Sequence, residues 1–423
     1  MRIGVTGNNP LKGTYHPGGS SNAALALIAA SLLSEQPVTL GNLPGTASVE
    51  LMLEVAALLG TEAAHNPAAR SVRLTTPAIT TRALTRAMTA QKVGVVLFLA
   101  PILARRGHVR LEVTYPVSRL YPHLTALRDL GCRVDVREGL VEVALVPWQR
   151  REVVLMQTSV TATAMVAMLA AAQPGETIVH NAASEPHVRD LLDLLVTLGA
   201  QIDGIGSNLL RITGRESLGG GAATIAPDHV EIASVAAIAA LSGGRLDVEG
   251  VRAPDLRLIA RVFGRLGLRL DLDDDHLHVP RHEGFIISGQ EEEVDVSVET
   301  APWPGFPSDL VGMATLIATQ AQGTILVHEK LFKDRMLFVD KLTGFGAQIV
   351  LCDPHRAVVV GPTPLYAQYL DTPDVRTGLA LLGAALLAEG ETIIDGAELL
   401  DWNFDGVLPK LSALGASIRV LER

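Results

Sequence analysis

Hydrophobic positions along the chain follow one pattern six times over. In each copy a run of small apolar residues without a polar side leads through a turn into a β-branched stretch, and then into an amphipathic run that ends in glycine. The clearest copy runs from Val160 through Ala172 to Pro174-Gly175 and continues as Thr177-Ile178-Val179. It then sets Val188, Leu191, Leu192, Leu195 and Leu198 at helical spacing before Gly199. The closing glycines are Gly60, Gly131, Gly199, Gly267, Gly346 and Gly415, about seventy residues apart. Glycine at that place predicts a left-handed helix cap. The all-apolar runs span 22–33, 93–104, 160–172, 230–241, 310–321 and 375–388. A helix with no polar face has to be enclosed by protein, so each copy predicts one central helix, one outer helix and several short strands. The class is α/β, built from six repeats arranged as two similar lobes of three. A doubly wound sheet would also alternate strands and helices, but it accounts for neither the fixed period nor the all-apolar helices.

Composition refines this picture. The 423 residues exceed one ordinary core, which agrees with two domains. Hydrophobic residues make up 48 % of the chain but aromatic ones only 4 %, so the apolar content is Ala, Leu and Val, suited to close helix packing. A formal charge of −10 argues against a nucleic-acid binder, which carries a basic face, and any anionic ligand must be met locally. Cys132 and Cys352 are isolated thiols outside any metal-ligand spacing, which fits a reducing cytoplasm better than a disulfide framework. The start of the chain lacks a signal-peptide core. The apolar stretch 93–104 is too short for a membrane helix and contains Pro101. No membrane or nucleic-acid partner and no metal or redox cofactor is expected.

Several ordered motifs are superimposed on the repeat. They are Gly18-Gly19-Ser20-Ser21-Asn22-Ala23-Ala24-Leu25, Asn181-Ala182-Ala183-Ser184-Glu185-Pro186, Pro227-Asp228-His229-Val230-Glu231, the run Thr300 to Asp309, and Asp374-Val375-Arg376. With these the chain resembles the UDP-N-acetylglucosamine enolpyruvyl transferases over nearly its whole length, and more distantly enolpyruvyl-shikimate-phosphate synthase. The resemblance implies two inside-out α/β prisms, each with three buried helices walled by sheets, facing a cleft that closes on substrate. The first would hold residues 1–20 and 229–423, the second 21–228. It also implies transfer of an enolpyruvyl group from phosphoenolpyruvate to the 3-hydroxyl of UDP-N-acetylglucosamine or a related nucleotide sugar, with release of phosphate, in cell-envelope synthesis.

The resemblance assigns roles residue by residue. Asp309 matches the carboxylate that contacts the acceptor hydroxyl and is the candidate base; its place between Phe306-Pro307 and an apolar helix is expected to desolvate it. Arg119, Arg335 and Arg376 match positions that bind the anionic groups of phosphoenolpyruvate, a task suited to the planar guanidinium fork. Asn22, Ser159, Val160 and Leu331 match positions that contact the acceptor. Asn22, Ser159, Asp309 and Asp374 also fall near predicted starts of apolar helices, where such residues commonly cap.

The chain departs from the family pattern in three places. The family has a lysine immediately before the asparagine of its first helix, where Ser21 stands here. Its mobile loop carries a Cys or Asp acid, the thiol being the target of fosfomycin. The segment Glu112 to Ser118 is shorter and has neither, leaving Tyr115 or Glu112 as substitutes or a plain strand and Pro turn. The arginine expected near the last helix is replaced around Asp401-Trp402-Asn403. These departures leave two further readings open: a paralogue that binds a nucleotide sugar or partner without turnover, and a transferase with another acceptor.

Overall fold

The computed structural model describes residues 1–90, 93–147, 151–289, 296–371 and 377–422. They form two compact units, one of Met1–Gly18 with Pro227–Arg423 and one of Gly19–Ala226.

Twelve helices carry the repeat among the described residues, alternately central and outer. In the continuous unit they are α1 (Ser21–Ser31), α2 (Ala47–Leu58), α3 (Leu99–Arg106), α4 (Tyr121–Asp129), α5 (Val160–Ala171) and α6 (Pro186–Thr197). In the discontinuous unit they are α7 (His229–Leu241), α8 (Ala253–Arg265), α9 (Val311–Gln320), α10 (Phe338–Gly344), α11 (Gly378–Leu387) and α12 (Val407–Ala413). The odd-numbered helices are the all-apolar runs. In α5 every residue from Ala162 to Ala171 is buried, and in α7 every residue from His229 to Ala240. The even-numbered helices bury one stripe, as Leu256, Ile259 and Phe263 do on α8.

The apolar run from Val93 begins as a 3-10 helix to Phe98 and becomes α3, whose first turn accommodates Pro101 because a first-turn N–H needs no helical partner. All six closing glycines have positive φ, between 84° at Gly267 and 116° at Gly199, as the endings of a large apolar residue followed by glycine predicted. Small residues let the central helices approach closely. A Cβ on Gly383 of α11 would lie 2.8 Å from Leu316 of α9 and 3.0 Å from Ile238 of α7.

Among the described residues six four-stranded sheets share one order, a parallel pair followed by two antiparallel neighbours. In the third repeat Arg151–Val154 runs parallel to Gly175–His180, which continues to Leu209–Gly214 and Gln201–Asp203. In the fifth, Ser297–Glu299 runs parallel to Gly323–His328, followed by Arg356–Gly361 and Gln348–Asp353. Each unit closes on itself. Gly221–Thr224 pairs with Val38–Gly41 in the continuous unit, while Lys12–Tyr15 pairs with Arg245–Glu249 in the other. The chain ends also meet, with Arg2–Thr6 beside Ser417–Glu422.

A buried carboxylate anchors the N-terminal segment of the discontinuous unit. Glu231, 1 % exposed on α7, accepts the Tyr15 hydroxyl at 2.6 Å, the Gly18 N–H at 3.1 Å and the Lys410 ammonium at 3.2 Å. Burial pushes its carboxyl up and Lys410 pulls it back. In the continuous unit Gly19 has no room for a side chain, since a Cβ there would lie 2.1 Å from the Asn42 carbonyl. Among the described residues no helix is long and apolar enough to cross a membrane.

Candidate active site

In the discontinuous unit the fifth repeat brings several chemical groups to one place. Strands Ser297–Glu299 and Gly323–His328 end side by side because they are parallel. The chain after the first becomes the loop that enters α9, and the chain after the second becomes Glu329 to Arg335. Thr300 ties the two exits together, donating its N–H to the His328 carbonyl at 3.0 Å and accepting the Lys330 N–H on its hydroxyl at 2.9 Å.

Asp309 lies in a 3-10 turn, Ser308–Leu310, just ahead of α9. Its carboxylate faces the Arg335 guanidinium, with Nη2 to Oδ1 at 3.0 Å. The Asp309 side chain is 39 % exposed, so the desolvation expected from its apolar neighbours is not what surrounds it. A paired cation does. Arg335 is 9 % exposed, follows Asp334 in a left-handed conformation, lies 4.4 Å over the Phe332 ring, and also donates Nη1 to the Ser308 hydroxyl. A guanidinium held on several sides loses little freedom on meeting an anion. Leu331 is 39 % exposed on the same loop.

Glu329, which sequence reasoning passed over, ties this cluster together. It is fully buried. One carboxylate oxygen accepts the N–H groups of Leu331 at 2.8 Å and Phe332 at 3.0 Å, and the other accepts the Ser308 hydroxyl at 2.5 Å. Its backbone pairs with His355 on both sides, at 2.8 Å each. Alternate repeats of the chain share a polar residue at this place. The residue after the second strand is Asn42 in the first repeat, Asn181 in the third and Glu329 in the fifth.

The continuous unit assembles the other predicted residues on neutral groups. Ser159 caps α5, its hydroxyl accepting the Ala162 N–H at 3.3 Å, and Val160 begins that helix half-buried. Asn22 does not cap α1. Ser20 does, through Ala23 N–H at 3.4 Å, and Asn22 is exposed in the first turn. Ser21, standing where the family places lysine, is 3 % exposed and shares a hydrogen bond of 3.0 Å with Thr46, which continues to Ser48 at 3.2 Å. Arg119 is exposed in the 3-10 turn Val117–Leu120. Four residues on, buried His123 bonds through Nε2 to the Thr161 hydroxyl at 2.8 Å, linking α4 to the start of α5. Burial pushes His123 down to about 4, so it is neutral near pH 7.

The three departures take definite form. The segment before Arg119 is the strand His108–Glu112 followed by a turn through Pro116. Burial pushes the Tyr115 phenol up against an opposing pull from Arg119, so it keeps its proton. Trp402 ends a 3-10 turn, Ala397–Trp402, and its surroundings are acidic. Burial, Asp405 and Glu398 all push the Asp401 carboxyl up. Asp374 and Arg376 lie outside the described residues. The structure thus joins Asp309, Arg335 and Leu331 through Glu329 in one unit. In the other it sets Ser159 and Val160 immediately before Thr161 and its contact with His123, with Asn22 and Arg119 exposed.

Comparison with known proteins agrees with this architecture. The sequence profile of EPSP synthase (3-phosphoshikimate 1-carboxyvinyltransferase) matches residues 5–411. A UDP-N-acetylglucosamine 1-carboxyvinyltransferase from Treponema denticola is 38 % identical over 424 residues, covering 99 % of both chains. One from Bradyrhizobium diazoefficiens is 39 % identical, covering 99 % of this chain and 98 % of its own. Among solved structures, the enolpyruvyl transferase NikO from Streptomyces tendae superimposes with a TM-score of 0.87 at 22 % identity, covering 99 % of this chain and 98 % of that one. An EPSP synthase from Acinetobacter baumannii gives 0.76 at 15 % identity over 100 % of both. By the full-length profile match and by relatives above a third identical, the chain belongs to the EPSP synthase (3-phosphoshikimate 1-carboxyvinyltransferase) family of enolpyruvyl transferases.

Proposed function

We propose that the protein transfers the enolpyruvyl group of phosphoenolpyruvate to the 3-hydroxyl of UDP-N-acetylglucosamine or a closely related nucleotide sugar, releasing phosphate, as a step in peptidoglycan or other cell-envelope synthesis. The observation that carries this reading is the Asp309–Arg335 pair ahead of α9, in a chain whose relatives of that activity match it from end to end.

In the first step the acceptor oxygen bonds to C2 of phosphoenolpyruvate, its proton leaves to a base, and the methylene carbon takes up a proton to become methyl. In the second the C2–phosphate oxygen bond breaks, the methyl group returns a proton, and the double bond re-forms. Asp309 takes the hydroxyl proton; its partial exposure leaves it reachable, and Arg335 orients it. Arg335, Arg376 and Arg119 hold the carboxylate and phosphate oxygens. Asn22, Ser159, Val160 and Leu331 contact the acceptor, the first three at helix starts whose dipole favours phosphate without a basic surface.

Purified protein mixed with phosphoenolpyruvate and UDP-N-acetylglucosamine should release inorganic phosphate and form the enolpyruvyl ether, both measurable by phosphate assay and mass spectrometry. No phosphate release with any nucleotide-sugar acceptor would discard the reading.

A further inference from the structure

Glu329 is a fully buried carboxylate that serves neither as base nor as anion-binding group, and its hydrogen bonds divide cleanly. One oxygen fixes the Leu331-Phe332 backbone, and the other takes the Ser308 proton. Because Ser308 spends its only proton on Glu329, its oxygen lone pairs must face a donor, and the donor present is Arg335 Nη1. The polarity of the chain is therefore fixed from one end: Glu329 accepts from Ser308, Ser308 accepts from Arg335, and Arg335 pairs with Asp309. Reversing any link would set two donors or two acceptors against each other.

The equivalent place in the third repeat supplies a control inside the same molecule. Asn181 also follows the second strand, and its Oδ1 accepts the Thr158 hydroxyl at 2.8 Å just ahead of α5. Its Nδ2 donates to the Leu155 carbonyl at 2.8 Å. A neutral amide thus suffices for the turn. A carboxylate stands at that position where the hydroxyl has to receive a guanidinium.

We propose that Glu329 is the positioning residue of the reaction: through Ser308 it locks the Arg335 guanidinium against Asp309, and through Leu331 and Phe332 it sets the loop that adjoins them. The inference rests on the enolpyruvyl-transfer reading for its effect on rate, but not for its effect on Asp309.

Glu329→Gln is the test, because the amide keeps the shape and can hold the Leu331 and Phe332 N–H groups while presenting a donor to Ser308. In the full-length protein it should lower kcat by about tenfold to a hundredfold, with KM for UDP-N-acetylglucosamine within about threefold of the parent. Ser308→Ala should reproduce the loss, Ser308→Thr should restore most of the rate, and the double variant Glu329→Gln/Ser308→Ala should be no slower than the worse single one. Should Glu329→Gln fail to fold, the Ser308 pair carries the test. A Glu329→Gln rate within about threefold of the parent, or a Ser308→Ala loss that Thr does not repair, overturns the proposal.

A parent protein without turnover discards the transfer reading alone. The lock is then judged by the carbon-13 titration of the Asp309 carboxyl. Freeing Arg335 moves it up in Glu329→Gln, whereas loss of a negative charge by itself moves it down. An upward move upholds the lock, and a downward or absent move overturns it.

Discussion

The two units apply one repeat to different electrostatic ends. The third repeat and the fifth have the same strand order, the same central helix and the same hydrogen bond from a hydroxyl to the residue after the second strand. In one unit that residue is the amide Asn181, in the other the carboxylate Glu329. The contrast extends along both units. The starts of α1 and α5 in the continuous unit carry Ser20, Ser21, Ser159 and Thr161, neutral groups that bond to backbone N–H, to Thr46 or to His123. Those in the discontinuous unit carry Asp228, Glu231 and Asp309, two of them paired with Lys410 or Arg335. Neutral ends can receive an anion through helix N–H groups at little desolvation cost. Charged, paired ends can hold a base and a cation in a fixed protonation pattern.

The hardest test of this division is Asp309→Asn, which keeps the shape and a hydrogen-bond acceptor for Arg335 but removes the base. We expect kcat to fall by about 10³-fold, on the order of 4 kcal/mol, with the melting temperature nearly unchanged because the side chain is 39 % exposed. Equal losses from substitutions of neutral groups such as Ser159 or Thr161 would break the comparison. Glu231→Ala should instead act on stability. It strands the Tyr15 hydroxyl and the Gly18 N–H in the interior and leaves Lys410 without its buried partner, a loss of roughly 3–5 kcal/mol in denaturant unfolding. Glu231→Gln, which retains an acceptor, should cost less than half of that.

The architecture was legible in the sequence because an all-apolar helix and an apolar-Gly ending are each a physical necessity of the fold, and six copies made the period visible. The site was legible only in part. Asp309 and Arg335 are charged residues that the family resemblance singles out, and they do meet. The desolvation expected of Asp309 failed because Phe306 and Pro307 are its neighbours in sequence, while Arg335 is its neighbour in space. Asn22 was expected near a cap, but Ser20, two residues earlier, takes the N–H of Ala23. Glu329 was missed because a single Glu after a strand resembles any solvated turn. Its burial follows from the parallel pairing of two strands far apart in sequence.

On the neutral side, His123 gives the clearest prediction of pH dependence. Its imidazole is held at about 4 by burial, below the ordinary value near 6.5. The unfolded chain therefore accepts a proton that the folded chain refuses. The stability this represents is complete above about pH 6.5 and is lost as the pH falls towards 4, an effect on the order of 3 kcal/mol. Guanidinium unfolding at pH 7 and pH 4.5 should show a smaller drop for His123→Leu than for the parent protein. An equal drop would assign the acid lability to other groups.

The smallest expected effect is the most telling for the comparison, because it concerns the one position where the family has a cation and this chain a hydroxyl. Ser21 is buried and bonded to Thr46, which makes it part of the packing between α1 and the start of α2. Ser21→Ala should then cost about 1 kcal/mol of stability through loss of the buried Ser21–Thr46 hydrogen bond, Thr46 keeping only its contact with Ser48. It should leave kcat/KM for phosphoenolpyruvate within about threefold, since no charge is withdrawn from the anion. If kcat/KM instead falls tenfold or more at unchanged stability, the Ser21 hydroxyl has taken over part of the missing lysine's contact. The continuous unit would then bind phosphoenolpyruvate through a side chain placed for it, and the division between a neutral receiving unit and a charged reacting one would have to be redrawn at α1.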